Sequence, residues 1–259
     1  MSKPIRDFQV PQNLLGVFCD IDDTLTVDGR IVPEVLTLMV KAREAGLRIV
    51  PITGRPGGWV DHIARAWPVD GVVGENGGLW FWFDGTKMQR RFLQSEDERQ
   101  RNRKKLQKLS EAILSDVKGC NLASDQPYRD LDLAIDFCED VAPLDAASID
   151  AIVAHFTNAG ATAKVSSIHV NGWFGDFDKL VGVQQFHHDC WGENIDFSRW
   201  VFFGDSANDE PMFKAFTHSI GVANVRHFFD RMSHHPTWIT SAEGGHGFVE
   251  GMKRILGYI

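Results

Sequence analysis

The chain has 259 residues, 43% hydrophobic and 24% charged, with a formal net charge of -8. That length and composition describe a globular protein of one large domain or two modest ones, and the acidic balance gives no sign of a nucleic-acid-binding surface. No apolar run approaches membrane-spanning length, the N-terminus lacks the apolar core of a signal peptide, and the four cysteines, Cys19, Cys120, Cys138 and Cys190, are dispersed, so reduced thiols, a cytoplasmic location and no membrane partner are expected.

Residues 14–26 carry an apolar run of strand length into three carboxylates, Asp20, Asp22 and Asp23. A buried parallel strand reads as such a run, and open α/β sheets bind ligands beyond the carboxyl ends of their strands. Like charges held that close repel, which points to a hard divalent metal and a reacting phosphate as the occupants. Residues 27–31 then read as a small hairpin over the carboxylates, because Asp28-Gly29 supplies the turn's positive φ angles. Pro33 opens a helix with Leu36, Met39 and Val40 on one face, stopped at Gly46. Residues 47–52 form a second apolar strand ending in Thr53-Gly54-Arg55, so strand, helix and strand make a βαβ unit.

A helix over about residues 59–67 leads to a short strand with a glycine-rich exit, Gly74-Glu75-Asn76-Gly77-Gly78, and to an aromatic strand over 79–83. There the composition shifts. Ser95-x-x-Glu98 is a capping box, followed by a basic helix with Leu106, Leu109, Ile113 and Val117 at helical spacing. Residues 131–137 alternate apolar and acidic side chains, as a half-buried strand does. Asp145 caps a helix ended by Gly160, and residues 161–174 read as one or two strands. These elements form an α+β layer at residues 85–173, separate from a parallel-sheet core at 1–84 and 174–259. The parallel pattern resumes with a helix near Lys179, a strand over 200–203 that runs into Gly204-Asp205-Ser206-Ala207-Asn208-Asp209, and closing strands over 218–222 and 237–240.

Three strands thus end in polar groups that a parallel sheet brings to one edge. Asp20 suits a nucleophile that forms and then loses an aspartyl-phosphate, and Asp22 an acid and base for the leaving alkoxide and the attacking water. Asp205 offers oxygen to Mg²⁺, while Thr53, backbone N–H groups and Lys179 suit the equatorial phosphoryl oxygens.

Asp20-x-Asp22-x-Thr24, Thr53 after an apolar strand, Lys179, and Gly204-Asp205-x-x-Asn208-Asp209 together resemble the four motifs of the haloacid dehalogenase (HAD) superfamily of Mg²⁺-dependent phosphohydrolases. Ile52-Thr53-Gly54-Arg55 and Glu75-Asn76-Gly77-Gly78 strengthen the likeness. The cap position is similar to subgroup IIB, which includes sucrose-phosphate, trehalose-phosphate and mannosylglycerate-phosphate phosphatases and phosphomannomutases. The resemblance implies an α/β fold with a HAD-like Rossmannoid core and an inserted α+β cap. It implies Asp20 as nucleophile and Asp22 as acid/base, with metal held by Asp20, the backbone carbonyl of Asp22, and Asp205. Asn208 and Asp209 would support them or Lys179. Asp23, Thr53, Gly54, Lys179 and Asn208 complete the phosphate-binding candidates. Asp23 departs from the glycine of many members.

The expected partner is a small phosphorylated metabolite, a sugar phosphate or sugar conjugate, chosen by the cap. Residues 168–173 alternate polar and apolar just before Lys179, so His169 and Asn171 are candidates for sugar hydroxyls and Trp173 for stacking on a pyranose face. Arg55 and Asn76 are further substrate candidates, with Arg129 and Asp130 weaker ones on a loop. The basic run 99–105 reads as a solvated helix face, the paired histidines His187-His188 and His234-His235 as surface or packing residues, and Trp80 and Trp82 as core. Two other functions share these motifs: a phosphosugar mutase, which passes the phosphoryl group to sugar, and a phosphorylatable regulatory module, against which the inserted cap argues.

Overall fold

The computed structural model describes residues 2–259. A first stretch supplies β1 (Lys3–Pro4), β2 (Gly16–Asp20), the hairpin strands β3 (Thr26–Val27) and β4 (Arg30–Ile31), α1 (Pro33–Glu44), β5 (Arg48–Ile52), α2 (Gly57–Ala66), β6 (Val72–Gly74), β7 (Leu79–Phe83) and β8 (Met88–Phe92). The cap follows, with α3 (Glu96–Asp116), β9 (Asn121–Leu122), β10 (Asp132–Asp136), α4 (Ala146–Asn158), β11 (Thr162–Val165) and β12 (His169–Trp173). The chain returns through α5 (Lys179–Trp191), β13 (Trp200–Gly204), α6 (Glu210–Ala215), β14 (His218–Gly221), β15 (Trp238–Ile239) and α7 (Gly244–Ile255).

The core is a nine-stranded sheet in the order β1-β15-β14-β13-β2-β5-β6-β7-β8. Every neighbouring pair from β1 to β6 is parallel, and β7 and β8 close the far edge antiparallel. Side chains of a strand alternate between faces, so each strand serves two cores. Val17 and Cys19 of β2 pack with Leu38 and Met39 of α1, Ile63 of α2 and Phe248 of α7. Phe18, between them, packs on the other face with Phe186 of α5 and Met212 and Phe213 of α6. This three-layer arrangement holds β2 at the centre with all five residues buried, and brings the carboxyl ends of β2, β5 and β13 side by side. No helix among the described residues is long and apolar enough to cross a membrane.

The cap has its own core, in which Leu106 and Ile113 of α3 and Ile152 and Phe156 of α4 cover Leu133, Ile135 and Val170 of a four-stranded sheet ordered β11-β12-β10-β9. Ser95 caps α3 with the reciprocal Glu98 bond that the sequence predicts. Asp28 and Gly29 adopt φ of 49° and 70° in the β3–β4 hairpin, as its Asp-Gly turn requires.

Four details differ from the sequence reading. The core segment runs past residue 84, because β8 pairs with β7 through residue 92 after the turn at Asp84-Gly85. Strand β10 has no wet face: Asp132 and Asp136 are buried, since partners described below satisfy their carboxylates. Helix α2 begins directly after Pro56 rather than near residue 59, and ahead of it the Thr53 hydroxyl accepts the N–H of Arg55. The C-terminal helix α7 opens Gly-Gly-His-Gly, a poor helix former, and is held by Phe248, Met252 and Ile255 packing under the sheet.

Candidate active site

Strand β2 delivers Asp20 to the sheet edge, where its carboxylate is nearly buried. Lys179, the first residue of α5, places Nζ 3.0 Å from Asp20 Oδ1 and 2.7 Å from Asp209 Oδ1. Asp178 caps that helix by accepting the Val181 N–H, so the lysine is presented on the first turn. The position of α5 depends on Gly77 and Gly182. A Cβ on Gly182 would lie 2.4 Å from Gly77 Cα, and one on Gly77, whose φ is 102°, would lie 2.0 Å from the Asp178 carbonyl oxygen.

Beyond β13, the second Asp209 oxygen accepts the N–H groups of Asp205 and Ser206, which shapes the loop. Asp205 is buried, with one oxygen accepting from Thr24 Oγ1 at 3.0 Å and the other 3.5 Å from Asn224 Nδ2. Asp20, Asp205 and Asp209 each place an oxygen within 4.8 Å of the others. Three buried carboxylates therefore face the single ammonium of Lys179. Burial pushes Asp20 up to about 7, against the pull of Lys179 and with the push of Asp209 and Asp22. Burial, then Asp20 and Asp209, raises Asp205 well above the usual carboxylate range. The excess negative charge and the all-oxygen donor set fit a hard divalent cation.

The cap closes over this edge through charged groups. Arg55 Nε and Nη2 donate to Asp22 at 2.9–3.2 Å. Its Nη2 and Nη1 also donate to Glu139 of the cap, at 2.8 and 3.4 Å, and Nη1 lies 3.5 Å from Asp125. The guanidinium stacks over Trp59 at 4.6 Å. Arg129, fully buried on the cap, donates to the Gly54 carbonyl, Asp132 and Asp125. Asp136 accepts the N–H groups of Cys138, Glu139 and Asp140, forming the turn that presents Glu139. His169 and then Arg55 hold Glu139 down to about 2. His169 Nε2 lies 2.9 Å from Glu139 Oε2 but is poorly aligned, so this buried nitrogen has no well-directed hydrogen bond.

A family model described as haloacid dehalogenase-like hydrolase matches residues 135–247, the stretch that contains Lys179, Asp205 and Asp209. Over the whole chain the fold is similar to Thermoplasma acidophilum 0175, at a TM-score of 0.74 and 18% identity, covering 95% of this chain and 99% of that one. It is also similar to the sucrose-phosphatase of Synechocystis, at a TM-score of 0.65 and 14% identity, covering 93% and 97%. A subclass IIB sugar phosphatase, BT4131, gives 0.62 and 16% identity, covering 94% and 99%. The match to the haloacid dehalogenase-like hydrolase model thus covers the C-terminal part of the core and the end of the cap, and the whole chain shares the fold of these solved structures. A search of curated proteins gives no match.

The cleft between core and cap is lined by Asp20, Asp22, Gly54, Arg55, Asp205 and Asn208 below and by Arg129, His169, Asn171 and the loop 166–168 above. Other candidates from the sequence lie elsewhere. Trp173 is buried in the core beneath the cap, stacked on Phe177 with its indole N–H on the Phe177 carbonyl, and cannot reach a sugar in this position. Asp23 holds φ of 57°, which explains glycine as the usual occupant; it does not line the cleft, and burial raises its carboxyl. A carboxylate there has the wrong sign for binding phosphate. Asn76 is buried behind Gly54, with Nδ2 unpartnered. Thr53 is buried beside the cleft, and Asn208 accepts from Ser206 Oγ. Asn171 donates to Asp132, which orients it in the roof. His187 is buried against Trp191 and Trp200, a packing residue, and Trp80 and Trp82 are core.

Sequence reasoning missed Glu139 and Asp125, the cap carboxylates on Arg55, and the role of Glu75. Glu75 is wholly buried at a φ of 45° and accepts N–H groups from Gly57, Asp130, Leu131 and Asp132. Burial and Asp132 raise it to about 8, against Arg129 and the N–H groups of Asp130 and Leu131. The one sequence signal for Glu139 is its place in the acidic run after β10, which looks like an ordinary solvated turn.

Proposed function

We propose that the protein is a Mg²⁺-dependent phosphomonoester phosphatase acting on a phosphorylated sugar or sugar conjugate through an aspartyl-phosphate on Asp20. The observation that carries this reading is Lys179 bridging Asp20 and Asp209 with Asp205 across from them, at the carboxyl edge of a parallel sheet. The solved sugar phosphatases of similar fold support the substrate class.

Asp20 attacks phosphorus as the phosphoryl–oxygen bond to the leaving group breaks, and Asp22 gives its proton to the departing alkoxide. Asp22 then takes a proton from the water that attacks the aspartyl-phosphate, which releases inorganic phosphate and restores Asp20. Arg55 orients Asp22, while Lys179, the Thr53 hydroxyl and the Gly54 N–H are the donors for the equatorial oxygens. Asp20 and Asp205, with the backbone carbonyl of Asp22, would hold Mg²⁺, which neutralises phosphoryl charge. Asp209 is committed to Lys179 and the 205–206 loop and serves as their support. Release of phosphate from a panel of sugar phosphates, with Mg²⁺ and with chelator, tests the reading. Activity that requires a sugar bisphosphate would instead indicate the mutase, and stable phosphorylation without turnover the regulatory module.

A further inference from the structure

We infer that the cleft selects phosphomonoesters whose leaving group is an uncharged, hydroxyl-bearing compound and disfavours those whose leaving group carries a carboxylate or second phosphate; the inference rests on the phosphatase reading above.

Charge and hydrogen-bond commitment carry it. Among the residues lining the cleft, Arg55 and Arg129 are the cations, with Lys179 behind them between Asp20 and Asp209. The phosphate to be transferred belongs at Asp20, so any second anion must lie on the cap side and be met by Arg55 or Arg129. Arg55 has no N–H to spare, and Arg129 has at most one, on Nη2 of a side chain that is wholly buried. All three Arg55 nitrogens are engaged by Asp22, Glu139 and Asp125. All three Arg129 nitrogens are engaged by Asp125, Asp132 and the Gly54 carbonyl. Four carboxylates thus surround two guanidiniums. An anionic substituent must enter a region already net negative, or displace a carboxylate and leave it unpaired in a buried place.

A hydroxyl meets a different surface. It can donate to the Glu139 and Asp22 carboxylates without disturbing their charge balance. His169 Nε2, buried and without a well-directed partner, and the free amide oxygen of Asn171 add two further polar atoms in the roof. Buried polar atoms of this kind favour the ligand that pairs them.

The test uses two pairs of esters that differ chiefly by one charge: glucitol 6-phosphate against 6-phosphogluconate, and phenyl phosphate against 4-carboxyphenyl phosphate, assayed for phosphate release with Mg²⁺. The uncharged member of a hydrolysed pair is expected to have the higher kcat/KM by about tenfold or more. Glu139→Gln keeps an acceptor for Arg55 but frees one unit of positive charge, so it should narrow that preference several-fold, mainly through KM for the charged ester. A preference near one, or for the charged ester, in the unaltered protein overturns the inference and leaves the phosphatase reading standing. An unchanged preference in folded Glu139→Gln also overturns it. No phosphate release from any of the four esters overturns the phosphatase reading and the inference together.

Discussion

Asp20 and Asp205 are costly to bury in the metal-free protein, and this makes their roles separable by experiment. Asp20→Asn removes the proposed nucleophile while keeping the shape, and steady-state phosphate release should fall about a thousandfold or more. Asp205→Asn removes one of the like charges crowded around Lys179, so the metal-free variant should melt at a higher temperature than the metal-free parent. Mg²⁺ should raise the Tm of the parent much more than that of the variant, by the mass-action stabilisation of a folded-state ligand. The pH dependence follows from the raised carboxyls. Asp20 lies at about 7 in the folded chain against an ordinary value of 3.8, so its contribution to stability is fully present below the ordinary value and is lost as the pH rises through about 7. The Tm advantage of metal-free Asp205→Asn should therefore widen as the pH rises from about 5 to about 7. A constant gap would show that these carboxyls titrate normally.

At the scale of elements, the groups proposed for catalysis are placed by junctions that hold strands, helices and cap together. Glu75 joins α2 to the cap loop ahead of β10 by accepting four backbone N–H groups. Glu75→Ala leaves them buried without an acceptor, and the loss should reach about 2 kcal/mol or more, a fall in Tm of roughly 4–8 °C. Hydrogen exchange at residues 130–132 should accelerate selectively in that variant. Gly182→Ala inserts a methyl group against Gly77 and pushes α5 outward. Activity should fall more steeply than stability, because Lys179 moves off Asp20; thermal melting alongside kcat checks the split. Neither junction is legible in the sequence, where Glu75 and Gly77 look like parts of a tight turn. The helices and most strands are legible, because caps such as Ser95 and Asp145 and apolar periodicity act over a few residues. Strand β8 is not, since Met-Gln-Arg-Arg-Phe gains its strand conformation from pairing with β7.

For the whole molecule, the geometry is that of a closed cap. The cleft encloses a cavity of only about 20 Å³, room for one or two waters and too little for a phosphosugar. Substrate entry therefore requires the cap to lift, which parts Arg55 from Glu139 and Arg129 from the Gly54 carbonyl. In the proposed reaction, closure would exclude bulk water during phosphoryl transfer to Asp20, and reopening would admit product exchange. A reversible lock tests this motion. A Cβ at residue 58 would lie 3.0 Å from Tyr128 Cβ across the core–cap boundary, so a shift of about half an ångström brings the pair to the spacing of a disulfide. Oxidised Gly58→Cys/Tyr128→Cys should lose about tenfold or more of its sugar-phosphate turnover and regain it with reductant; full activity when oxidised would show that entry needs no opening there.

The sequence by itself determined most of the elements, the order of the motifs and the polar residues gathered at the carboxyl edge of the sheet, because apolar runs, caps and carboxylates at strand ends are local features whose consequences follow from hydrophobic burial and the parallel sheet. Only the tertiary structure decided which charges meet across the cap. The partners in Arg55–Glu139, Arg129–Gly54 and Glu75–Asp130 lie 55 to 84 residues apart in the chain, and pairing of groups so distant is set by how two domains pack, which no local pattern encodes.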